Sequence, residues 1–305
     1  MPFLPVSREE CRTLGWDAID FLFVTPDAYV DHPSFGAALL SRLLEAEGYR
    51  VGIAAQPDPD HPESLEVMGR PRLGVLVSGG IVDSMVDNYT AARRPRSRDR
   101  YSPGGIKGRR PDRVTIHYCN MVRDCFGDIP LVIGGIEASL RRFAHYDYWD
   151  HAVRRSILQD SRADILVYGM GELPLLSIAS LLAKGVAVSN IQNLPGTCVM
   201  VSEKKMPEKW RTFLAEAATE GDSGDGPIAP PFPEDDKHVL LPSFDCVKSD
   251  PRAYAEAFRV QYLEQVPVRG RTLLQRHGVR YVVQNPPTRP LRQKELDRLY
   301  ALPYE

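Results

Sequence analysis

The sequence predicts an α/β protein built on a doubly wound, mostly parallel open sheet with a smaller carboxyl-terminal appendage, and three observations carry that prediction. Between Ala18 and Val201, short β-rich runs alternate with helical periods. Three of those runs end in glycines, at Gly79-Gly80, Gly134-Gly135 and Gly169-Met170-Gly171. Beyond Val201 the chain turns proline-rich and then polar.

The first run, residues 19–25 (IDFLFVT), is followed by a loop (PDAYVDHP) and an expected helix over 34–47. Phe35, Ala38, Leu39, Arg42, Leu43 and Ala46 trace one mostly apolar face of that helix; Ser34 can cap its start and Gly48 can end it. A second strand over 49–55 completes a βαβ unit. Runs over 73–78 (LGVLVS), 130–133 (PLVI) and 164–168 (DILVY) supply the third, fourth and fifth strands, the last leading into an apolar helix over 173–184. A parallel sheet brings the carboxyl ends of these strands to one edge, where open sheets bind ligands and where glycine admits a close approach. Tight strand-to-helix turns would use the same glycines. The expected division is a first domain over 1–201, a flexible connector over 202–235 that includes GDSGDGPIAPPFP at 221–233, and a small α+β appendage over 236–305. In that appendage a helix over 250–265, a basic β pair over 271–284 and a short last helix are expected to wrap on the first domain or meet a partner.

With 305 residues, 43% hydrophobic and 26% charged, the chain has ample material for a core. A net charge of −2 gives the molecule as a whole no reason to adhere to nucleic acid or to an anionic membrane. No run approaches the ~18 apolar residues that a membrane span needs. The amino terminus does not read as a secretory signal, so the expected compartment is the cytoplasm. Five scattered cysteines argue against a disulfide framework. Cys119 and Cys125 sit in a helical stretch at an offset that turns them to different faces, and no CxxxCxxC spacing is present to surround an iron–sulfur cluster.

The first strand-to-helix turn, Thr25-Pro26-Asp27-Ala28-Tyr29-Val30, has no glycine, and Gly169-x-Gly171 has Pro174 where a third glycine would stand; both argue against a nicotinamide-type dinucleotide site. Gly104-Gly105-Ile106-Lys107 lacks the spacer and the hydroxyl of a phosphate-binding P-loop. The segment His145-Tyr146-Asp147-Tyr148-Trp149-Asp150-His151 concentrates histidines and aspartates. A helix starting at Tyr148, with Asp147 as its N-cap and Asp150 in its first turn, accounts for the aspartates without a metal. Residues 93–113 (RRPRSRDRYSPGGIKGRRPDR) form an insertion with nine basic and two acidic residues. The expectation is a mobile, solvated loop that a glycine–serine linker could replace. The alternative is a nucleic-acid-binding module in which the arginines track phosphates and Tyr101 stacks on a base.

Residues 29–58 (YVDHPSFGAALLSRLLEAEGYRVGIAAQPD), 101–113 (YSPGGIKGRRPDR), 133–158 (IGGIEASLRRFAHYDYWDHAVRRSIL), 166–172 (LVYGMGE) and 280–287 (RYVVQNPP) together resemble the amino-terminal half of the YgiQ family of radical S-adenosylmethionine proteins. The resemblance implies a Rossmann-like, cobalamin-binding type of domain here. It also implies a [4Fe-4S] cluster and S-adenosylmethionine held by a radical SAM domain beyond these residues, in the same full-length protein or on a split partner chain. A cobalamin site that holds cobalt through histidine reads DxHxxG. Here Asp31-His32-Pro33-Ser34-Phe35-Gly36 has the aspartate and glycine at that interval and the histidine one place early, which leaves an unligated cobalamin or an empty site as alternatives.

The resulting expectation is an accessory, substrate-facing domain, inert alone, with a ligand crevice at the strand ends. Thr25, Asp27, Asp31, His32, Ser34, Ser78, Gly79, Gly80, Gly134, Gly135, Glu137, Gly169, Gly171 and Glu172 are expected to line it, none of them assigned as acid, base, nucleophile or metal ligand. A nucleic-acid-binding module using residues 93–113 and a free-standing cobalamin carrier are the alternatives.

Overall fold

The computed structural model describes residues 3–219, 238–267 and 269–305. Among them run the strands β1 (Phe21–Thr25), β2 (Val51–Ala55), β3 (Gly74–Ser78), β4 (Leu131–Gly134), β5 (His145–Asp147), β6 (Ala152–Arg154), β7 (Ile165–Val167), β8 (Thr197–Ser202), β9 (His238–Leu241), β10 (Thr272–His277) and β11 (Arg280–Gln284). The chain divides into two compact units, one of Met1–Ser139, Ser161–Ile191 and Leu291–Glu305, the other of Leu140–Asp160 and Gln192–Pro290.

In the first unit β2, β1, β3, β4 and β7 lie side by side in that order, all parallel. Phe21 stands opposite both Val51 and Gly74, Val75 opposite Leu131, and Val132 opposite Ile165. β1 is buried along its whole length, as a sheet covered on both faces requires of an interior strand. From β1 the chain crosses to β2 on one side, and from β3 to β4 on the other. Right-handed crossovers therefore put the helices Gly36–Ala46 and Val114–Phe126 on opposite faces. The sheet is doubly wound and open, with its switch point between β1 and β3.

Leucine and alanine give the helix Gly36–Ala46 its propensity, and Gly48 ends it. At φ +88°, Gly48 donates its N–H to Glu45 O, and Tyr49 donates to Leu44 O, which delivers the chain directly into β2. The expected Ser34 cap is not made: the helix begins later, behind Phe35, and the Ser34 N–H donates instead to His32 Nδ1 at 3.1 Å. Arg42 is buried on the apolar face because Asp31 accepts from its guanidinium and Glu45 lies 2.8 Å from Nη1. Helix Glu172–Ala183 packs on Gly36–Ala46. Helix Gln293–Tyr300 also belongs to this unit, where Arg298 pairs with Glu47 at 2.7 Å.

In the second unit β8, β11, β10 and β9 form a mixed sheet in that order, antiparallel except for β10 with β9. Leu273, Leu274, Val282 and Val283 are fully buried. The division differs from the expected boundary at 201, because β8 pairs antiparallel with β11, Val199 opposite Val283. The helix Glu208–Thr219 occupies part of the expected connector, while residues 221–233 lie outside the described residues. The helix expected from Tyr148 is instead the hairpin of β5 and β6. Asp147 Oδ1 does accept backbone N–H groups, from Trp149 at 2.8 Å and Asp150 at 3.2 Å, but those groups belong to the hairpin turn. Among the described residues no helix is long and apolar enough to cross a membrane.

His277 on β10 is buried beside Phe244, ring centroids 5.4 Å apart, with Nε2 3.0 Å from Gln275 Oε1. Burial, with Arg155, Arg280 and His145 nearby, pushes its pKa down to about 4. Between pH about 6.5 and 4 the unfolded chain binds a proton that this folded site refuses. The stability carried by neutral His277 is therefore complete above that window and lost as pH falls through it. Replacing His277 with glutamine should remove about 2 kcal/mol of the acid-induced loss between pH 7 and 4.5, read from urea unfolding. Equal acid sensitivity in parent and variant would refute this.

Candidate functional site

Beyond the carboxyl ends of β1, β3, β4 and β7, at the switch point and within the first unit, lies a pocket of about 310 Å³. Its walls are mostly apolar, from Phe23, Leu76, Ile133 and Val167 on the strands and Leu39, Leu40 and Leu175 on the two flanking helices. Of the residues expected in a crevice, Thr25, Asp27 and Ser34 line it from the β1 side, and Ser78 and Gly80 from the end of β3. Gly134, Gly135, Gly169, Gly171 and Glu172 line it beyond β4 and β7. Asp31, His32, Gly79 and Glu137 do not line it.

Each of those four has another place. Asp31 is buried against Arg42, and His32 is exposed. Glu137, buried after β4, accepts from Ser84 N at 2.9 Å with one carboxylate oxygen and from Thr115 N at 3.0 Å with the other, so it clamps the starts of helices Ser84–Asn88 and Val114–Phe126. Gly79 makes room for that clamp, since a Cβ there would lie 2.7 Å from Glu137 Cβ. At the pocket itself, Gly80 (φ +88°) and Gly135 (φ +83°) hold a backbone conformation that other residues rarely adopt. A Cβ on Gly135 would also stand 3.0 Å from Ser78 Oγ, and one on Gly80 would stand 2.7 Å from Asp27 Oδ1 and 2.9 Å from Arg110 Nη1.

Arg110 belongs to the insertion that was expected to be solvated, yet its side chain is wholly buried. Its Nη2 donates to Asp27 Oδ1 at 2.7 Å, and its Nε lies 3.3 Å from Asp87 Oδ2 and 3.4 Å from Asp99 Oδ2. Tyr101 presents its ring to the guanidinium at 5.9 Å, which occupies the ring expected to stack on a base. Burial opposes the charge on Arg110, but Asp27, Asp99 and Asp87 outweigh it and raise its pKa. Burial raises Asp87 against the pull of Arg110, whereas for Asp99 burial is outweighed by the Tyr101 N–H, Arg110 and Ser102, and its pKa falls. Further along, Asp112 accepts from Asn88 Nδ2 and Tyr89 Oη, each at 2.8 Å. Sequence reasoning missed this cluster. Its signal was the presence of two aspartates in an otherwise basic run, with Asp27 just after the first strand.

The polar groups facing the pocket are unevenly satisfied. Asp27 Oδ2 accepts from Ile81 N at 2.8 Å, and Ser78 Oγ accepts from Gly80 N at 3.1 Å. Glu172, the first residue of helix Glu172–Ala183, is 7% exposed, and its Oε2 has no hydrogen-bond partner. An unsatisfied buried acceptor costs about 1–3 kcal/mol. Among the described residues, no lysine, arginine or histidine lines the pocket.

The donors for an implied cofactor fit poorly. His32 turns away from the pocket residues and Asp31 is committed to Arg42, so the DxHxxG-like stretch offers cobalt no histidine. Cys119 and Cys198 are buried, which raises both thiols, Cys198 to about 12. Among the described residues no group of three His, Cys, Asp or Glu side chains is placed to hold a metal ion.

Against known proteins, the family described as Radical SAM N-terminal matches residues 3–305. The chain is similar to UPF0313 proteins of Clostridium botulinum (strain Kyoto / Type A2), 48% identical over 304 residues, and of Clostridium perfringens (strain SM101 / Type A), 49% identical over 303 residues. These alignments cover 100% and 99% of this chain but 43% and 42% of the relatives, so the chain spans less than half the length of the curated relatives it matches. Two structures of the radical S-adenosylmethionine methyltransferase TsrM from Kitasatospora setae overlap 59% and 60% of this chain and 28% and 27% of their own. One has tryptophan substrate and a SAM analogue bound, the other cobalamin and a [4Fe-4S] cluster; identities are 20% and 21%, and the TM-score is 0.38 for both, an overlap too low to bear on function.

Replacing Arg110 with methionine leaves Asp27, Asp87 and Asp99 buried without their cation. The expected loss is about 3–5 kcal/mol in urea unfolding. The same change at exposed Arg109 should stay within about 0.5 kcal/mol. An Arg110→Met variant as stable as the parent would restore the solvated-loop reading.

Proposed function

The chain belongs to the Radical SAM N-terminal family, and from that premise we propose that it is the accessory, substrate-facing part of a longer radical S-adenosylmethionine protein. In this reading the pocket at the strand ends holds a ligand toward a catalytic domain that carries the [4Fe-4S] cluster and S-adenosylmethionine, in the length by which the relatives exceed this chain. The observation that carries the reading is the pocket's place at the switch point of a doubly wound sheet, where such folds bind ligands. Exposed apolar side chains at its rim support a covering partner: Val30 and Met170 line the pocket at 44% and 59% exposure, and Ile136 follows Gly135. Five free cysteines, three of them buried, fit a reducing compartment such as the cytoplasm.

The test is association. The carboxyl-terminal remainder of the Clostridium botulinum relative, expressed separately, should bind the 305-residue chain in analytical ultracentrifugation. Met170→Asp changes an exposed side chain and should leave the unfolding midpoint in place while weakening that association at least tenfold. Gly135→Val narrows the pocket and is read only alongside its own thermal unfolding, since φ +83° strains a β-branched residue. Association that is absent, or unmoved by Met170→Asp, removes the covering-partner reading.

A further inference from the structure

Asp27, Glu137 and Glu172 follow the carboxyl ends of β1, β4 and β7, and the first two are fully engaged. Asp27 holds Arg110 and the Ile81 N–H, and Glu137 holds the Ser84 and Thr115 N–H groups. Glu172 holds nothing: it lines the pocket, is more than nine-tenths buried, and its Oε2 has no partner. Its position in the first turn of helix Glu172–Ala183 favours a negative charge, but the dipole supplies no donor to that oxygen. An oxygen left in this state in a folded protein is one that something else satisfies.

We propose that this pocket takes a predominantly apolar small molecule bearing a cationic amine, with Glu172 Oε2 accepting from that nitrogen. The inference rests on the reading of the pocket as a ligand site and adds the chemistry of the ligand. Two further observations set its sign. Among the described residues the lining contains no lysine, arginine or histidine, so an anionic ligand such as a phosphate or carboxylate would face Glu172 without a countercharge. The apolar remainder, with Phe23, Phe35, Leu39, Leu40, Ile133 and Leu175 around about 310 Å³, suits a compact hydrocarbon body no larger than a small aromatic ring with a short chain. Asp27 does not compete for the amine, because its oxygens are already taken by Arg110 and Ile81.

Three probes that share one carbon skeleton separate the contributions: 3-phenylpropylamine, 3-phenylpropan-1-ol and 3-phenylpropionate. Each is titrated into the methyl-labelled 305-residue chain, and the methyl resonances of Leu39, Leu40, Ile133 and Leu175 are followed. The amine should shift these methyls at concentrations at least tenfold below the alcohol, with the carboxylate weakest. In Glu172→Gln the preference of amine over alcohol should fall at least fivefold while the alcohol's affinity stays near its parent value. Equal affinities for all three probes in the parent chain, or an unchanged preference in Glu172→Gln, would overturn the assignment to Glu172 and leave the pocket as a ligand site. The parent series decides the point even if the variant unfolds. Pocket methyls that no probe moves up to its solubility limit would overturn both readings together.

Discussion

A wholly buried guanidinium needs carboxylates from wherever the chain can bring them, and Arg110 draws them from three separate segments. Asp27 comes from the turn after β1, Asp87 from the short helix after β3, and Asp99 from the insertion itself. The pair with Asp27 closes a loop of 83 residues, and it holds the insertion against the end of the sheet where the pocket opens. Gly80 follows from the same constraint, because any side chain there would occupy the space between Asp27 and Arg110. A single buried cation thus settles the path of two loops and the identity of a pocket-lining residue. Breaking one side of such a cluster is far more destabilising than its net contribution suggests, since the partners remain buried and charged.

Arg42 does the corresponding work on the helix side of the pocket. Its partner Asp31 is the aspartate of the DxHxxG-like stretch, so the residue that a cobalamin-type motif would place beside its ligand is spent on anchoring helix Gly36–Ala46. His32 follows it on the exposed side, where its Nδ1 accepts from Ser34 N and tightens the turn into that helix. The arginine on an otherwise apolar helical face and the displaced histidine have one explanation: this turn is stabilised by an ion pair between the loop and the helix, and no metal ligand is needed to hold it.

What the sequence made legible was whatever depends on neighbours in the chain. The strands of the first unit stood out because parallel strands covered on both faces read as continuous apolar runs, and FLFV in β1 or GVLV in β3 admits few other readings. The glycines that end β3 and β4 and follow β7 were legible as a pattern, and the sheet does bring Gly80, Gly134, Gly135, Gly169 and Gly171 to one pocket. Features that depend on distant partners were not legible. β8 carries an apolar run like those of the first unit's strands, but it pairs with β11, about 80 residues on. The hairpin of β5 and β6 has strands of three residues, too short for alternation to be seen, and Asp147 accepts N–H groups in a turn much as it would at a helix start. Nor does a basic run reveal which of its arginines is buried; that was decided by Asp27 and Asp87 from other segments together with Asp99 in the run itself.

The electrostatics of the pocket differ from those its shape suggests. Glycine-rich turns after parallel strands, opening onto a helix, are the geometry with which many folds cradle phosphates, and the cradle works because backbone N–H groups are free and cationic side chains are near. Here the turn after β3 spends its N–H groups internally, Gly80 on Ser78 and Ile81 on Asp27. Arg110, the cation behind Gly80, is enclosed by carboxylates. The helix that opens beyond β7 begins with Glu172, and the third residue of that helix is Pro174, which has no N–H to offer. Glycine in these turns therefore serves backbone conformation and close packing, while the sign of the charge presented to a ligand is set by Glu172, a pocket-lining carboxylate whose Oε2 has no hydrogen-bond partner.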